Sequence, residues 1–266
     1  MTAVTISGLF IYPVKSLAGI PLEESAVDDF GLAFDRRWML VDSDGRFLSQ
    51  RRLPRMALIR QSITGDALIL QAEEVADLSL PLYPPPGDPL RVQVWDDLCE
   101  AWYCGNEAER WFSEYLGCSA RLVYLPESHF RGVDQNYAKA EDRTAFSDGF
   151  PLLLISEASL ADLNARLASP LSMSRFRPNL VVTGCGPFAE DGWSRLKAGE
   201  LGLRVVKPCS RCIITTIDPA TAERGEEPLK TLAAYRKQGN KVMFGQNLIH
   251  DGVGRLAVGM PMAVLT

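Results

Sequence analysis

Short apolar runs broken by tight polar turns dominate the first half of the chain. ISGLFIYPV near the start is an apolar run. RRWMLVDSDGRFLSQ places Asp44-Gly45 between two strand-like segments, and Asp-Gly in that setting is a strong hairpin signal. ALIRQSITGDALILQA repeats the arrangement around Gly65-Asp66, and LRVQVWDDL reads as one more alternating strand. PLYPPPGDP reads as a loop, because proline lacks the N–H that a sheet interior requires. Many short strands with turns between them suggest a barrel or a sandwich.

The period changes at NEAERWFSEYLG. Trp111, Phe112, Tyr115 and Leu116 fall three to four residues apart on one helical face, and Gly117 suits a C-terminal stop. The strand ARLVYL follows, and residues 126–146 are polar with weak periodicity, a connection between two halves that could order over a site. FPLLLIS reads as a buried strand, and Ser156 caps a helix with a stripe of Ala158, Leu160, Leu163 and Leu167. PNLVVTG and LGLRVV read as strands, and EPLKTLAAYRK as a helix with Leu229, Leu232 and Tyr235 on one face. GRLAVGMPMAVL reads as strand, glycine turn and strand. The pattern predicts an α+β chain, mainly β, in two barrel-like halves with a few peripheral helices.

Composition narrows the function classes. The 266 residues are 47% apolar and 23% charged, ordinary for a globular protein. A net charge of −5 argues against general nucleic-acid binding, which leaves a basic footprint, but leaves room for a local basic pocket. The start lacks the pattern of a secretory signal, and no apolar window is long enough for a membrane span. The expectation is a cytoplasmic protein with reduced thiols. Cys99, Cys104, Cys118 and Cys185 are scattered and read as small buried residues. His129 and His250 are the only histidines, which rules out a multi-histidine metal site.

The chemistry concentrates in VVKPCSRCIITT, where Cys209 and Cys212 form a Cys-x-x-Cys pair. Structural zinc needs about four Cys or His ligands, and the chain offers no second pair. A thioredoxin-like switch sits at a helix start, whereas the β-branched run after Cys212 favours strand. Two buried cysteines at a strand end is the plain alternative. Lys207 and Arg211 flank the thiols, and cationic neighbours favour thiolate. Such a thiolate suits a soft metal carried by an anionic cofactor.

PCSRCIITTIDP, EPLKTLAAYR and FGQNL together resemble the molybdenum cofactor sulfurase C-terminal (MOSC) domain family. IYPVKSLAGIPL and DRRWMLVD resemble the N-terminal β-barrel domain that accompanies it, and SEASLADLNARL and FRPNLVV complete the set. Within the family the chain resembles bacterial relatives of the mitochondrial amidoxime-reducing component. The resemblance implies an N-terminal β-barrel domain over residues 1–124 and a MOSC domain over 125–266. It implies a molybdenum cofactor, a molybdenum bound to molybdopterin, with Cys212 as the protein ligand to the metal.

The same resemblance assigns cofactor contacts to Lys15 and Ser16, Arg36, Arg177 and Asn179, and Ser210 and Arg211. Arginine forks and a lysine point charge match phosphate oxygens. Asp148 is a candidate proton relay. The two positions after it carry hydroxyl residues in the mitochondrial relatives and are Gly149 and Phe150 here, so backbone N–H groups are expected to replace those hydroxyls. Asn247 stands where those relatives carry an aromatic residue. The activity implied is reduction of N-hydroxylated compounds such as amidoximes, hydroxylamines and N-hydroxylated bases, with electrons from a separate reductase, ferredoxin-type or cytochrome-type protein. A cofactor-binding or sulfur-carrier module without turnover is the alternative.

Overall fold

The computed structural model describes residues 4–265 and is mainly β, with three α-helices among the described residues. Seven strands close into a ring. In order around it they are Leu152–Ser156, Leu180–Thr183, Val4–Ile11, Pro261–Leu265, Arg195–Ala198, Leu201–Arg211 and Lys241–Asp251, which pairs back to Leu152–Ser156. One pairing in the ring is parallel, Leu152–Ser156 beside Leu180–Thr183, and α2 (Glu157–Asn164) lies in the crossover between them. Parallel neighbours need such a crossover, because a tight turn can only join antiparallel strands. Ser156 caps α2 by accepting from Ser159 N at 3.0 Å, as its position before the helical stripe predicts.

The ring takes Val4–Ile11 from before the 124/125 boundary and its other six strands from after it. Alternating inward residues fill the interior, among them Ile6, Leu9, Leu154, Leu180, Leu203 and Leu248, all at most 1% exposed. The two longest strands carry register shifts between Val205 and Lys207 and between Pro208 and Ser210. A bulge bends a strand and re-aims its side chains. Pairing with Lys241–Asp251 nonetheless continues to the strand's end, where Arg211 stands opposite Val242.

That first half is an open half-barrel. Its four-stranded sheet runs in the order Trp38–Val41, Arg121–Tyr124, Asp97–Tyr103 and Pro89–Val94, and a three-stranded sheet is made of Arg60–Thr64, Ala67–Gln71 and Leu78–Pro81. The Gly65-Asp66 turn joins two of these strands directly, with Thr64 opposite Ala67. α1 (Asn106–Leu116) buries Ala108, Trp111, Phe112 and Tyr115 and stops at Gly117 in the left-handed region at φ 68°. The single strand expected over LRVQVWDDL is instead part of a hairpin, with Val94 opposite Asp97 and Trp95-Asp96 as its turn. No helix among the described residues is long and apolar enough to cross a membrane.

Candidate functional site

Where the ring meets the half-barrel lies a cleft enclosing about 830 Å³ of empty space, open solvent included. Lys15, Ser16, Arg36, Asp148, Gly149, Phe150, Arg177, Asn179, Ser210, Arg211, Cys212 and Asn247 all line it, so the residues singled out from sequence converge on one place. Ser49, Arg51, Cys209 and Thr215 join them. The lining holds five cationic side chains, Lys15, Arg36, Arg51, Arg177 and Arg211, against one carboxylate, Asp148. In a chain of net charge −5 this is a locally cationic cleft, whose potential favours anions.

The turns that carry these cations are strained. Ser16, Arg36 and Arg177 adopt left-handed backbone at φ 69°, 51° and 55°. Side-chain-bearing residues in that region cost energy and cluster at functional sites. Tyr12 holds two of the cations in place. The guanidiniums of Arg36 and Arg177 each stand 4.2 Å from the centroid of its buried ring. Burial pushes the Tyr12 hydroxyl up to about 12 despite these cations, so it stays neutral and donates to Pro178 O at 3.0 Å. Arg36 donates to Asp35 and Asn179, and Arg177 Nη1 donates to Leu17 O at 2.7 Å. Burial pulls Arg177 down to about 10, still protonated at neutral pH. Its Nη2 is buried with no hydrogen-bond partner, as is Nε of Arg211.

Asn179 serves the scaffold more than the open space. Its amide accepts from Arg36 at 3.0 Å and from Leu153 N at 3.2 Å, and donates to Phe10 O at 3.1 Å. Asn247 likewise donates to Lys207 O at 3.2 Å. Gly149 is different: a Cβ built there would meet nothing within 4 Å, so its backbone faces open cleft. Phe150 packs edge-on against Tyr137 at 6.0 Å between centroids, and Lys207 Nζ lies 4.3 Å from the Tyr137 ring and 5.7 Å from that of Phe150. Through Tyr137 the connecting segment packs against Phe150, a residue of the cleft lining.

Lys15 Nζ donates to Asp148 Oδ1 at 2.6 Å and to Phe146 O at 2.7 Å. Burial lowers Lys15 to about 8, with Asp148 partly restoring it. Asp148 keeps 62% of its side-chain surface open, yet it stands inside the concavity. Burial there would raise its carboxyl, but Lys15, Arg51 and the indole N–H of Trp95 together hold it well below the usual carboxylate range. The shared proton of the pair therefore resides on Lys15. Arg131, buried in the connecting segment, donates to Ala145 O and Ser147 O at 2.6 and 2.8 Å and fixes the turn that presents Asp148.

At the sulfur end, strand Leu201–Arg211 ends just before Cys212. The β-branched IITT run expected to continue as strand forms a 3-10 turn over Ile213–Thr216. The reason is local: Thr215 and Thr216 donate their hydroxyls back to the carbonyls of Cys212 and Ile213 at 2.9 and 2.8 Å. Such side-chain bonds offer the backbone an alternative to a sheet ladder. Cys212 accepts a hydrogen bond from Arg51 Nη2 at 3.2 Å, and Cys209 accepts one from Arg211 Nη1 at 3.0 Å.

Tyr12, Arg51, Trp95 and Arg131 were not legible as site residues. Tyr12 lies inside the IYPVKS motif and was within reach of the motif argument. Trp95 could have been found by dividing LRVQVWDDL into two strands about a turn.

Comparison with known proteins adds independent weight. Residues 3–119 match the MOSC N-terminal beta barrel domain and residues 141–263 match the MOSC domain. The chain is 37% identical to mitochondrial amidoxime-reducing component 1 of Mus musculus, over 98% of this chain and 82% of that protein. It is 36% identical to the Homo sapiens counterpart, over 98% of this chain and 83% of that protein. Against mitochondrial amidoxime reducing component 2 of Homo sapiens the figure is 35%, over 97% and 82%.

Proposed function

The chain belongs to the MOSC-domain family, among relatives that include the mitochondrial amidoxime-reducing components, and from that premise we propose that it is a molybdenum-cofactor-dependent reductase of N-hydroxylated compounds. The cleft fits such a cofactor. Two buried guanidinium nitrogens, on Arg177 and Arg211, lack partners that a phosphate would supply. Among the described residues no cluster of three or more His, Cys, Asp or Glu could hold a metal. A metal in this cleft therefore brings most of its own ligands and takes one soft donor from the protein.

In this reading Cys212 is that donor, and Lys15, Ser16, Arg36, Arg177, Ser210 and Arg211 receive the anionic part of the cofactor. Asn179 orients Arg36, and Asn247 braces the strand carrying Lys207. The open backbone of Gly149 lets the ligand approach closely, with Phe150 beside it. When bound, the molybdenum cofactor supplies two-electron chemistry, and the protein supplies binding, orientation and charge.

The overall change cleaves the N–O bond of the substrate. Two electrons and two protons convert N–OH to N–H and release water. Electrons come from a separate redox protein. Lys15 Nζ holds a proton at the cleft wall near neutral pH, and Asp148 serves as its counter-ion, so the relay role considered for Asp148 passes to the pair. The cationic lining with Cys212 in its wall is the single observation that carries the reading.

The test is molybdenum content per chain in protein from a cofactor-competent host, together with amidoxime reduction driven by an artificial donor. Wild-type and Cys209→Ser protein should carry the metal and turn over. Cys212→Ser should lose both. Full metal and activity in Cys212→Ser would refute the ligand assignment, and metal without turnover would favour a binding module.

A further inference from the structure

Arg51 is the one cation of the lining that reaches the sulfur assigned as metal ligand. Its Nη2 stands 3.2 Å from Cys212 Sγ, across 161 residues of chain. Among the described residues the sulfur is the one hydrogen-bond acceptor its guanidinium finds, and no carboxylate forms an ion pair with it. The other arginines of the lining are engaged elsewhere: Arg36 pairs with Asp35, Arg177 donates to a backbone carbonyl, and Arg211 donates to the other sulfur, Cys209 Sγ, and to Phe176 O.

Arg51 is held from two sides. The Trp95 ring lies 4.5 Å from its guanidinium carbon. Its own backbone carbonyl accepts from Arg224. Trp95 is in turn fixed by Phe47, at 4.9 Å between ring centroids, and by its indole N–H, which donates to Asp148 Oδ1 at 3.2 Å. Trp95 occupies the hairpin turn at φ 55°, a region that bulky residues rarely adopt. A turn at that place would be easier to form with asparagine or glycine. The strain aims an indole, 38% exposed, at the cleft mouth.

We infer that Arg51, clamped by Trp95, is a positioning residue that tunes the metal–sulfur bond through its N–H···S hydrogen bond to Cys212. This rests on the proposed molybdenum reading. A hydrogen bond to a ligating sulfur draws electron density away from the metal and raises its reduction potential. Sulfur hydrogen bonding likewise tunes the potential of other thiolate-ligated metals. Arg51 therefore favours the reduced, substrate-reducing state of the centre without touching the substrate.

The experiment compares purified holoprotein of wild type, Arg51→Gln, Arg51→Lys and Trp95→Leu. Three quantities are read: molybdenum per chain, the energy of the sulfur-to-metal charge-transfer band, and the midpoint potential from a redox titration. Arg51→Gln should keep its metal, shift the band to longer wavelength and lower the potential. Trp95→Leu should shift both in the same direction by less, and Arg51→Lys should recover part of the wild-type value. A merely structural role would lower occupancy or thermal stability and leave band and potential unmoved. If Arg51→Gln fails to load, Arg51→Lys and Trp95→Leu carry the test, and unmoved spectra in both overturn the inference. Wild-type protein without molybdenum overturns the underlying reading as well. Metal-bearing wild type whose band and potential ignore Arg51 overturns this inference alone.

Discussion

Lys15 Nζ sits 2.6 Å from Asp148 Oδ1, a contact that closes 133 residues of chain and joins the turn after the first ring strand to the turn before Leu152–Ser156. Burial holds Lys15 near 8 rather than its ordinary 10.5. If its proton is used in N–O cleavage, turnover should fall as pH rises through about 8. Asp148 raises the lysine value, so Asp148→Asn should move that limb to lower pH. Lys15→Arg, which stays protonated, should remove the limb altogether. Turnover per molybdenum against pH, with an artificial donor, checks all three. A limb that ignores both substitutions would assign the proton elsewhere.

The same pair makes a stability statement. The folded-state value of Asp148 lies below its ordinary 3.8, so its contribution is present above that pH and lost as the pH falls through and below it. In acid denaturation, wild type should therefore lose more stability on descending through pH 4 than Asp148→Asn. Parallel curves would show that the carboxylate is not linked to folding.

Tyr12 makes a sharper structural prediction, because one ring orders two cations. Tyr12→Phe removes only the hydroxyl bond to Pro178 O and should cost about 1 kcal/mol. Tyr12→Leu removes the aromatic face beside Arg36 and Arg177 as well. It should cost several kcal/mol from lost burial and cation–π contact, and should weaken anion retention in the cleft. Urea unfolding with bound-pterin analysis separates the two, and equal losses in both variants would deny the ring its ordering role.

The two halves of the chain differed in how far sequence revealed them. α1 was legible because its apolar spacing is local and Gly117 marks its end. The membership of Val4–Ile11 in the ring was not, because its partners Leu180–Thr183 and Pro261–Leu265 lie far along the chain. The IITT turn was misread because β-branched preference was outweighed by two threonine hydroxyls. Lys15, Arg36, Arg177 and Cys212 were found through family motifs, not through periodicity. Arg51 and Trp95 stayed hidden because their importance arises only from contacts with Cys212 and Asp148.

Packing behind the site is as specific as the site itself. Phe176 and Phe244, both fully buried, pack with tilted rings 4.5 Å apart between centroids, and the carbonyl of Phe176 receives Arg211. Phe244→Ala should cost about 3–5 kcal/mol. It should also loosen Arg211, so cofactor content should fall at temperatures where the chain is still folded. Circular dichroism with metal analysis across temperature checks this, and metal loss that coincides with unfolding would confine Phe244 to a stability role.

The cluster of Phe150, which lines the cleft, with Tyr137 and Lys207 bears on which substrates enter. Phe150 stands at the cleft with its ring edge-on to Tyr137, and Lys207 Nζ lies within 6 Å of both ring centroids, at 4.3 and 5.7 Å. A flat heteroaromatic substrate can pack against such a cluster, while a small aliphatic hydroxylamine offers it no ring. An aromatic contact contributes about 0.5–1.5 kcal/mol beyond simple burial, which corresponds to roughly a 2- to 12-fold change in binding. Phe150→Ala should therefore raise KM for N-hydroxylated aromatic bases by that factor. KM for an aliphatic hydroxylamine and kcat for both should change little. Steady-state kinetics on the two substrate classes, normalised to molybdenum, reads the difference directly. An equal rise for both would mean that Phe150 shapes the cleft as a whole, and a fall in kcat alone would confine Phe150 to its contact with the cofactor.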